Sequence, residues 1–355
     1  MSNTLLCSTI ESLSTELWCE IFEFFDAVEL YRTFDNINSK ITSILSEIIP
    51  LYFKITTTKD YDFASSVILP KVKNRAMVKS IEFNQEFQIE EFFTRYSFGT
   101  FNQLRYLSLV YLGELMSDCS IVLLEQLSHL TSLESLHIRV GRIANYDQCL
   151  KRLLQLLFIE NDVFHSLKQL IFQCNNTYNL LQVPTTTTKQ TKLELITLPS
   201  LRLTNFLQFL PCIPYIRSIK VNRLYADSDR TMSVPICSLN FILWNCVHLN
   251  LHLDYHITFE DVKLLLQKTP NLTQMKLSCD YGLWNGDKWE ILLAENCPQL
   301  RRLETIFSRQ YHLFNQPSFN ELQHSFSTIF WLTRNVEIEH NEQFCRSIVR
   351  FRIYE

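Results

Sequence analysis

TFEDVKLLLQKTPNLTQMKL, residues 258–277, packs one complete structural unit into a short stretch. Its first part repeats apolar residues at steps of three and four, the period of an amphipathic helix. Thr258 with Asp261 resembles a capping box, and Pro270 falls where such a helix must stop. Pro-Asn-Leu then sets a turn, and Leu272-x-x-Met275-x-Leu277 alternates in the manner of a strand.

The same rhythm runs outward in both directions. Upstream lie Val78/Ile81/Phe83, Leu104/Leu107/Leu109, Leu133/Leu136/Ile138, Leu167/Leu170/Phe172, Leu193/Ile196/Leu198 and Ile216/Ile219/Val221. Leu249/Leu251/Leu253 reads as a variant without the gap, Leu300/Leu303 closes the series, and Leu51-Tyr52-Phe53-Lys54-Ile55 opens it. A three-position match alone arises by chance about a dozen times in a chain this apolar, so spacing and context carry the weight. Helical patterns at 116–130 and 146–160 and turn-forming lead-ins (TSL, HSL, PNL, CPQL) lie between the triplets. Strand then helix, every 23–34 residues, is the pattern of a stacked βα array. The tract QVPTTTTKQTK (182–192) reads as a surface loop, and FWLTRNVEIEH (330–340) as a last strand. The expected fold class is therefore α/β.

Composition removes several function classes. Five glycines, none closely spaced, exclude phosphate loops and dinucleotide fingerprints. Eleven cysteines without a C-x-x-C pair argue against a disulfide framework or zinc ribbon and for buried thiols. No apolar run reaches membrane-span length, and MSNTLLCSTIESLS lacks the plan of a signal peptide, so a cytoplasmic and/or nuclear location is expected. His248, His252 and His256 step by four, but Leu249, Leu251 and Leu253 impose strand alternation. Strand residues four apart lie about 13 Å from each other, too far to share one metal ion. No cofactor, metal or catalytic constellation is expected. The five tryptophans read as packing residues, with Trp284 and Trp289 as candidates for loops.

Charge divides the chain near residue 50. Residues 1–50 carry eight acids against two bases, −6, which leaves +2 for the rest. That argues against nucleic acid as a partner. Within the acidic part, IESLSTELWCEIFEFF (10–25) spreads Leu13, Leu17, Trp18, Ile21, Phe22, Phe24 and Phe25 over half a helix, with Glu16, Glu20 and Glu23 as a narrow acidic stripe. Ser14 is placed to cap that helix. Two further apolar series follow, Leu30/Phe34/Ile37 and Ile41/Ile44/Leu45/Ile48/Ile49, before Pro50. A three-helix unit of about 40 residues cannot bury so many large side chains alone, so the surplus must meet another surface.

The order Leu13-Ser14-x-Glu16-Leu17, Ile21-Phe22, Phe25, Leu30, Phe34, Asn38 resembles the F-box, a three-helix module that docks onto a Skp-type adaptor. It departs at Ser14, where F-boxes usually carry proline. The array resembles the leucine-rich repeat in its longer α/β form, although the asparagine of that motif appears only at Asn175, with Asp254 and Asp280 as the nearest substitutes. The double resemblance implies an F-box over 5–50, an irregular leucine-rich-repeat solenoid or horseshoe over 51–340, and a cap or tail over 341–355. It implies docking to the adaptor, and through it a cullin, by Leu13, Ser14, Glu16, Leu17, Ile21, Phe22, Phe25, Leu30, Phe34 and Asn38. Outward strand positions, among them Tyr106, His137, Arg139, Gln169, Lys220, His252 and Lys276, would hold a protein substrate. The function implied is that of a substrate receptor of a Skp–cullin–F-box ubiquitin ligase, without bond chemistry of its own. The competing reading is a repeat scaffold that binds an adaptor without ubiquitin transfer.

Overall fold

Ten strands of one sheet run parallel and in strict chain order in the computed structural model. They are β1 (Leu51–Ile55), β2 (Val78–Phe83), β3 (Tyr106–Leu112), β4 (Ser135–Val140), β5 (Gln169–Cys174), β6 (Leu195–Arg202), β7 (Ser218–Tyr225), β8 (His248–Leu253), β9 (Gln274–Asp280) and β10 (Arg302–Ser308). The structure describes residues 13–112, 126–140, 152, 155–156, 164–174, 191–226, 241–280, 283, 285–308, 324–334, 337–343 and 346–354. Parallel neighbours require a crossover between successive strands. Helices Glu86–Arg95, Leu203–Phe209, Phe259–Gln267 and Gly286–Asn296 lie in four of those connections.

The triplets are the core. No residue of the nine predicted sets is more than 8 % exposed. The opening stretch folds as read: Thr258 caps Phe259–Gln267, and its capping box with Asp261 is complete. β1 shows clean alternation of buried and exposed residues. Entry into each strand is equally regular. The N–H groups of Arg217 and Ser218 both reach the Glu194 carbonyl, those of Val247 and His248 the Arg217 carbonyl, and those of Thr273 and Gln274 the Val247 carbonyl.

One triplet is corrected by the register. Leu249 lies opposite Ile219 and Met275, and Leu251 opposite Val221 and Leu277. The first slot of that unit is therefore Cys246, fully buried, and the gapped spacing is kept. A small thiol behaves there as an ordinary core residue. Asp254 then falls eight residues after the first slot. It is buried, and its Oδ1 accepts from the His256 N–H at 3.4 Å while Oδ2 accepts from Arg223 at 3.0 Å.

The carboxy-terminal end departs from expectation. Residues 329–332 form a helical turn, and β11 (Glu337–Gln343) does not join β10. Instead β12 (Arg346–Tyr354) inserts between them, antiparallel to both. The segment read as a tail thus supplies a full strand, and the 340/341 boundary falls inside β11. The loop at 182–190, Asn175 and most of the helical patterns at 116–130 and 146–160 lie outside the described residues.

Three helices precede the sheet: α1 (Thr15–Phe22), α2 (Ala27–Phe34) and α3 (Ser39–Glu47). Ser14 caps α1 through its hydroxyl, Asp26 forms a capping box with Glu29 at α2, and Asn38 caps α3. α2 packs against β1, and its Tyr31 hydroxyl donates to the Leu45 carbonyl at 3.1 Å. One continuous apolar core runs from Trp18 to Trp331. The helical unit is therefore a cap on the first strand of the sheet, fused to its core.

Candidate functional site

Two faces of the molecule carry the residues singled out above. The first is α1. Its apolar half-circumference divides into two stripes. Trp18 and Phe22 point inward at 1–2 % exposure and pack against Phe34 edge-on and tilted, at ring-centroid separations of 5.9 and 5.1 Å. Leu17 remains 45 % exposed and Phe24 86 %, with Leu13, Ile21 and Phe25 half-buried alongside.

The ten residues of the F-box resemblance are accordingly not equivalent. Leu17 lies on the open side, with Leu13, Ile21 and Phe25 packed partly against the core beside it. Phe22 and Leu30 are sealed inside the chain and have no surface to offer a partner. Phe34 is half-buried and packs its ring edge against Phe25 at 5.5 Å. Ser14 and Asn38 serve as helix caps, Asn38 accepting from the Ile41 N–H at 2.9 Å. Glu16 is exposed in the first turn. The backbone N–H at the helix start, then the Ser14 hydroxyl, and lastly Lys40 hold its carboxyl below the usual range. Phe24 is the residue the resemblance omits, although its exposure exceeds that of every other large apolar side chain among the described residues.

The second face is the outward side of the sheet. Strand register arranges it in rows. Tyr106 and Gln169 share one row with Ser135, Leu195, Ser218, His248, Gln274 and Arg302. His137, Lys220 and Lys276 share the next, with Glu82, Ser108, Asn250 and Glu304. Arg139 and His252 lie one step further along their strands. All seven predicted positions therefore fall on one side of the sheet, spread from β3 to β9. Lys220, His252 and Lys276 are exposed; Tyr106, His137, Arg139 and Gln169 are half-buried. Lys276 is paired with Glu304 at 3.0 Å, and Arg139 donates to Gln173 at 3.0 Å.

Ser108 Oγ lies 3.4 Å from His137 Nδ1, a long contact, and the serine is 1 % exposed. Burial, helped by Arg139, lowers the His137 pKa, and its Nε2 has no hydrogen-bond partner. Cys246 and Cys297 are pushed up to about 12 by burial, so neither is a thiolate at neutral pH. No group of three or more potential metal ligands occurs among the described residues. His248 and His252 lie on one strand face, as the alternation requires. No described helix is long and apolar enough to cross a membrane.

The tryptophans divide unexpectedly. Trp18, Trp289 and Trp331 are core, and Trp289 sits within the helix Gly286–Asn296, donating to the Leu283 carbonyl at 2.8 Å. Trp244 is 60 % exposed, against its reading as a packing residue. It occupies the position that holds Pro214, Pro270 and Pro298 in neighbouring units, two residues before the first core slot. That alignment becomes visible only once Cys246 is recognised as a core position.

No protein-family model matches the chain, and no curated protein matches it.

Proposed function

We propose that the chain is the substrate-recognition subunit of a Skp–cullin–F-box ubiquitin ligase, an F-box fused to an irregular leucine-rich-repeat horseshoe. The observation that carries the reading is the open apolar patch on α1 and the residues that flank it. Leu17 and Phe24 are exposed beside half-buried Leu13, Ile21 and Phe25, while the other stripe of the same helix already completes the chain's own core. Large apolar side chains left outside a finished core mark an interaction surface, and each contributes up to about 1.5–3 kcal/mol when fully covered. The chain-order parallel sheet supports the solenoid part of the reading. Its outward rows, with Tyr106, His137, Arg139, Gln169, Lys220, His252 and Lys276, would hold the target protein. Catalysis then amounts to proximity: the target's lysines are held near a ubiquitin-charged enzyme delivered through the cullin.

Co-expression with a Skp-type adaptor tests the first half. Co-purification is expected for the wild type and is lost in the Leu17→Asp/Phe24→Asp double variant, whose melting temperature stays unchanged because both side chains are exposed. Retained co-purification in that variant removes the F-box assignment. Transfer of ubiquitin to a captured target in a reconstituted ligase separates a receptor from a scaffold.

A further inference from the structure

The edge of the sheet where β6–β10 begin carries a second binding surface, independent of α1 and of the outward rows. A groove of about 830 Å³ crosses five successive units there. Trp244 and Tyr215, 60 % and 53 % exposed, stand on adjacent units along it, with Lys192, Glu194 and Arg217 toward the β6 end and Asn271 and Gln299 toward β10.

Two features define what fits. The strand starts beneath the groove offer no free row of donors, because their N–H pairs are already spent on the carbonyls of Glu194, Arg217, Val247 and Thr273. Strand addition needs a continuous row of free backbone donors and acceptors, and the strand starts do not present one. A polyproline II segment needs no such row, and aromatic-lined grooves are its usual seat. Four strand steps of about 4.8 Å give roughly 19 Å, the length of six residues at about 3.1 Å each.

Charge supplies the second constraint. Upstream on the same edge, Glu134 lies between two cations, 3.8 Å from Arg105 and 3.2 Å from Lys168. Along the groove that neutralisation stops: among the described residues Arg217 and Lys192 have no acid within ion-pair reach. We infer that the groove binds an extended, proline-rich segment of a partner protein whose acidic residues meet Arg217 and Lys192 while a proline or bulky apolar side chain lodges between Tyr215 and Trp244.

The test uses the full chain and three fluorescein-labelled octapeptides followed by anisotropy. One is Asp-Asp-Pro-Pro-Leu-Pro-Pro-Pro, the second replaces both aspartates by lysine, and the third replaces every proline by alanine. Saturable binding of the first is expected, with both others at least about tenfold weaker. Trp244→Ala and Tyr215→Ala should each weaken it about tenfold, and Arg217→Glu should reverse the preference between the first two peptides. These side chains are exposed, so far-UV circular dichroism and melting should match the wild type. If one variant misfolds, the other two and the peptide series still decide. Equal binding of all three peptides, or wild-type affinity in Trp244→Ala and Tyr215→Ala, overturns the proposal. So does a Trp244-dependent dimer in sedimentation, which would give the groove to a second copy, or displacement of the peptide by single-stranded oligouridine.

Discussion

The two ends of the sheet are finished by different means. At the first, helices do the work. α2 packs against β1 with Ala27, Val28, Leu30 and Tyr31 buried, and the ion pairs Arg32–Asp60, Lys71–Asp35 and Lys73–Glu47 tie the helices to the segment between β1 and β2. At the last, strands do it: β12 runs antiparallel along β10 from Arg302↔Tyr354 to Ser308↔Ile348, and β11 pairs outside it. A parallel sheet must cover or blunt its edges. A hairpin satisfies the β10 edge with backbone pairing and leaves β11 outermost, whereas a helical cap covers the first strand with side chains and leaves apolar surface on its far side. That remainder, the Leu17/Phe24 stripe, makes the first end a candidate for docking and the last a terminator.

The largest expected effect breaks the helical end from within. Trp18→Ala removes a 1 % exposed ring that touches Phe22 and Phe34, and about 3–5 kcal/mol of stability should go with it. Phe24→Ala, on the same stretch but 86 % exposed, should stay within about 0.5 kcal/mol. Denaturant melts of the pair measure the division of the α1 region into a core stripe and a free stripe. Equal losses would mean that the free stripe is structural.

Near the other end, Gly286→Ala should cost about 1–3 kcal/mol or more. An added Cβ at Gly286 would stand 2.0 Å from the Ser325 carbonyl oxygen, which is backbone and cannot rotate away. The helix Gly286–Asn296 would have to shift from the segment at 324–334. Thermal unfolding is the measure, and Ser325→Ala, which removes the hydroxyl 3.3 Å from the Gly286 N–H without adding bulk, is the mild control.

Acid should loosen the helical end preferentially. Asp60 is pushed up by burial, but hydrogen bonds from Thr56 and Thr57, with Arg32 beside them, outweigh that and hold its pKa below the ordinary value. A carboxyl lowered by folding stabilises fully above its unfolded value of about 3.9 and loses that contribution as pH falls through the lower folded value. Asp60→Asn should therefore cost about 1–3 kcal/mol at pH 7 and flatten the pH dependence of melting below about pH 4. A curve parallel to the wild type would assign the acid sensitivity elsewhere.

The contrast between the ends also governs what the sequence disclosed. Strand alternation marks the core from either side of the unit it sits in, so triplets from Val78 to Leu303 were readable even with irregular spacing. The apolar arc of α1 was equally readable, but not its division. Trp18/Phe22 and Leu17/Ile21 are both four-residue stripes, and only the placement of α2 and its Phe34 decides which turns inward. The same arc includes Phe24 without ranking it. Cys246 escaped because a thiol is not counted with leucine, although a buried thiol packs like one. Trp244 escaped with it, since its kinship with Pro214, Pro270 and Pro298 depends on that slot. The β12 strand escaped because a strand that reverses direction carries no repeat period.

The smallest expected effect concerns the sheet face near the last end. Lys276 and Glu304 are cross-strand neighbours in register, 3.0 Å apart, with Lys276 nearly half exposed. Solvent screens such a pair, so Lys276→Ala should cost no more than about 1 kcal/mol, and less in high salt. Lys276→Glu sets like charges directly opposite and should cost a few tenths more. If Lys276 serves the outward face as a target contact, target capture falls by far more than the small stability loss explains. If its role ends at Glu304, the small stability loss is the whole effect and target capture by the folded protein is unchanged. The ratio of the two effects separates a recognition surface from a row of solvated strand residues, a distinction that exposure alone does not make.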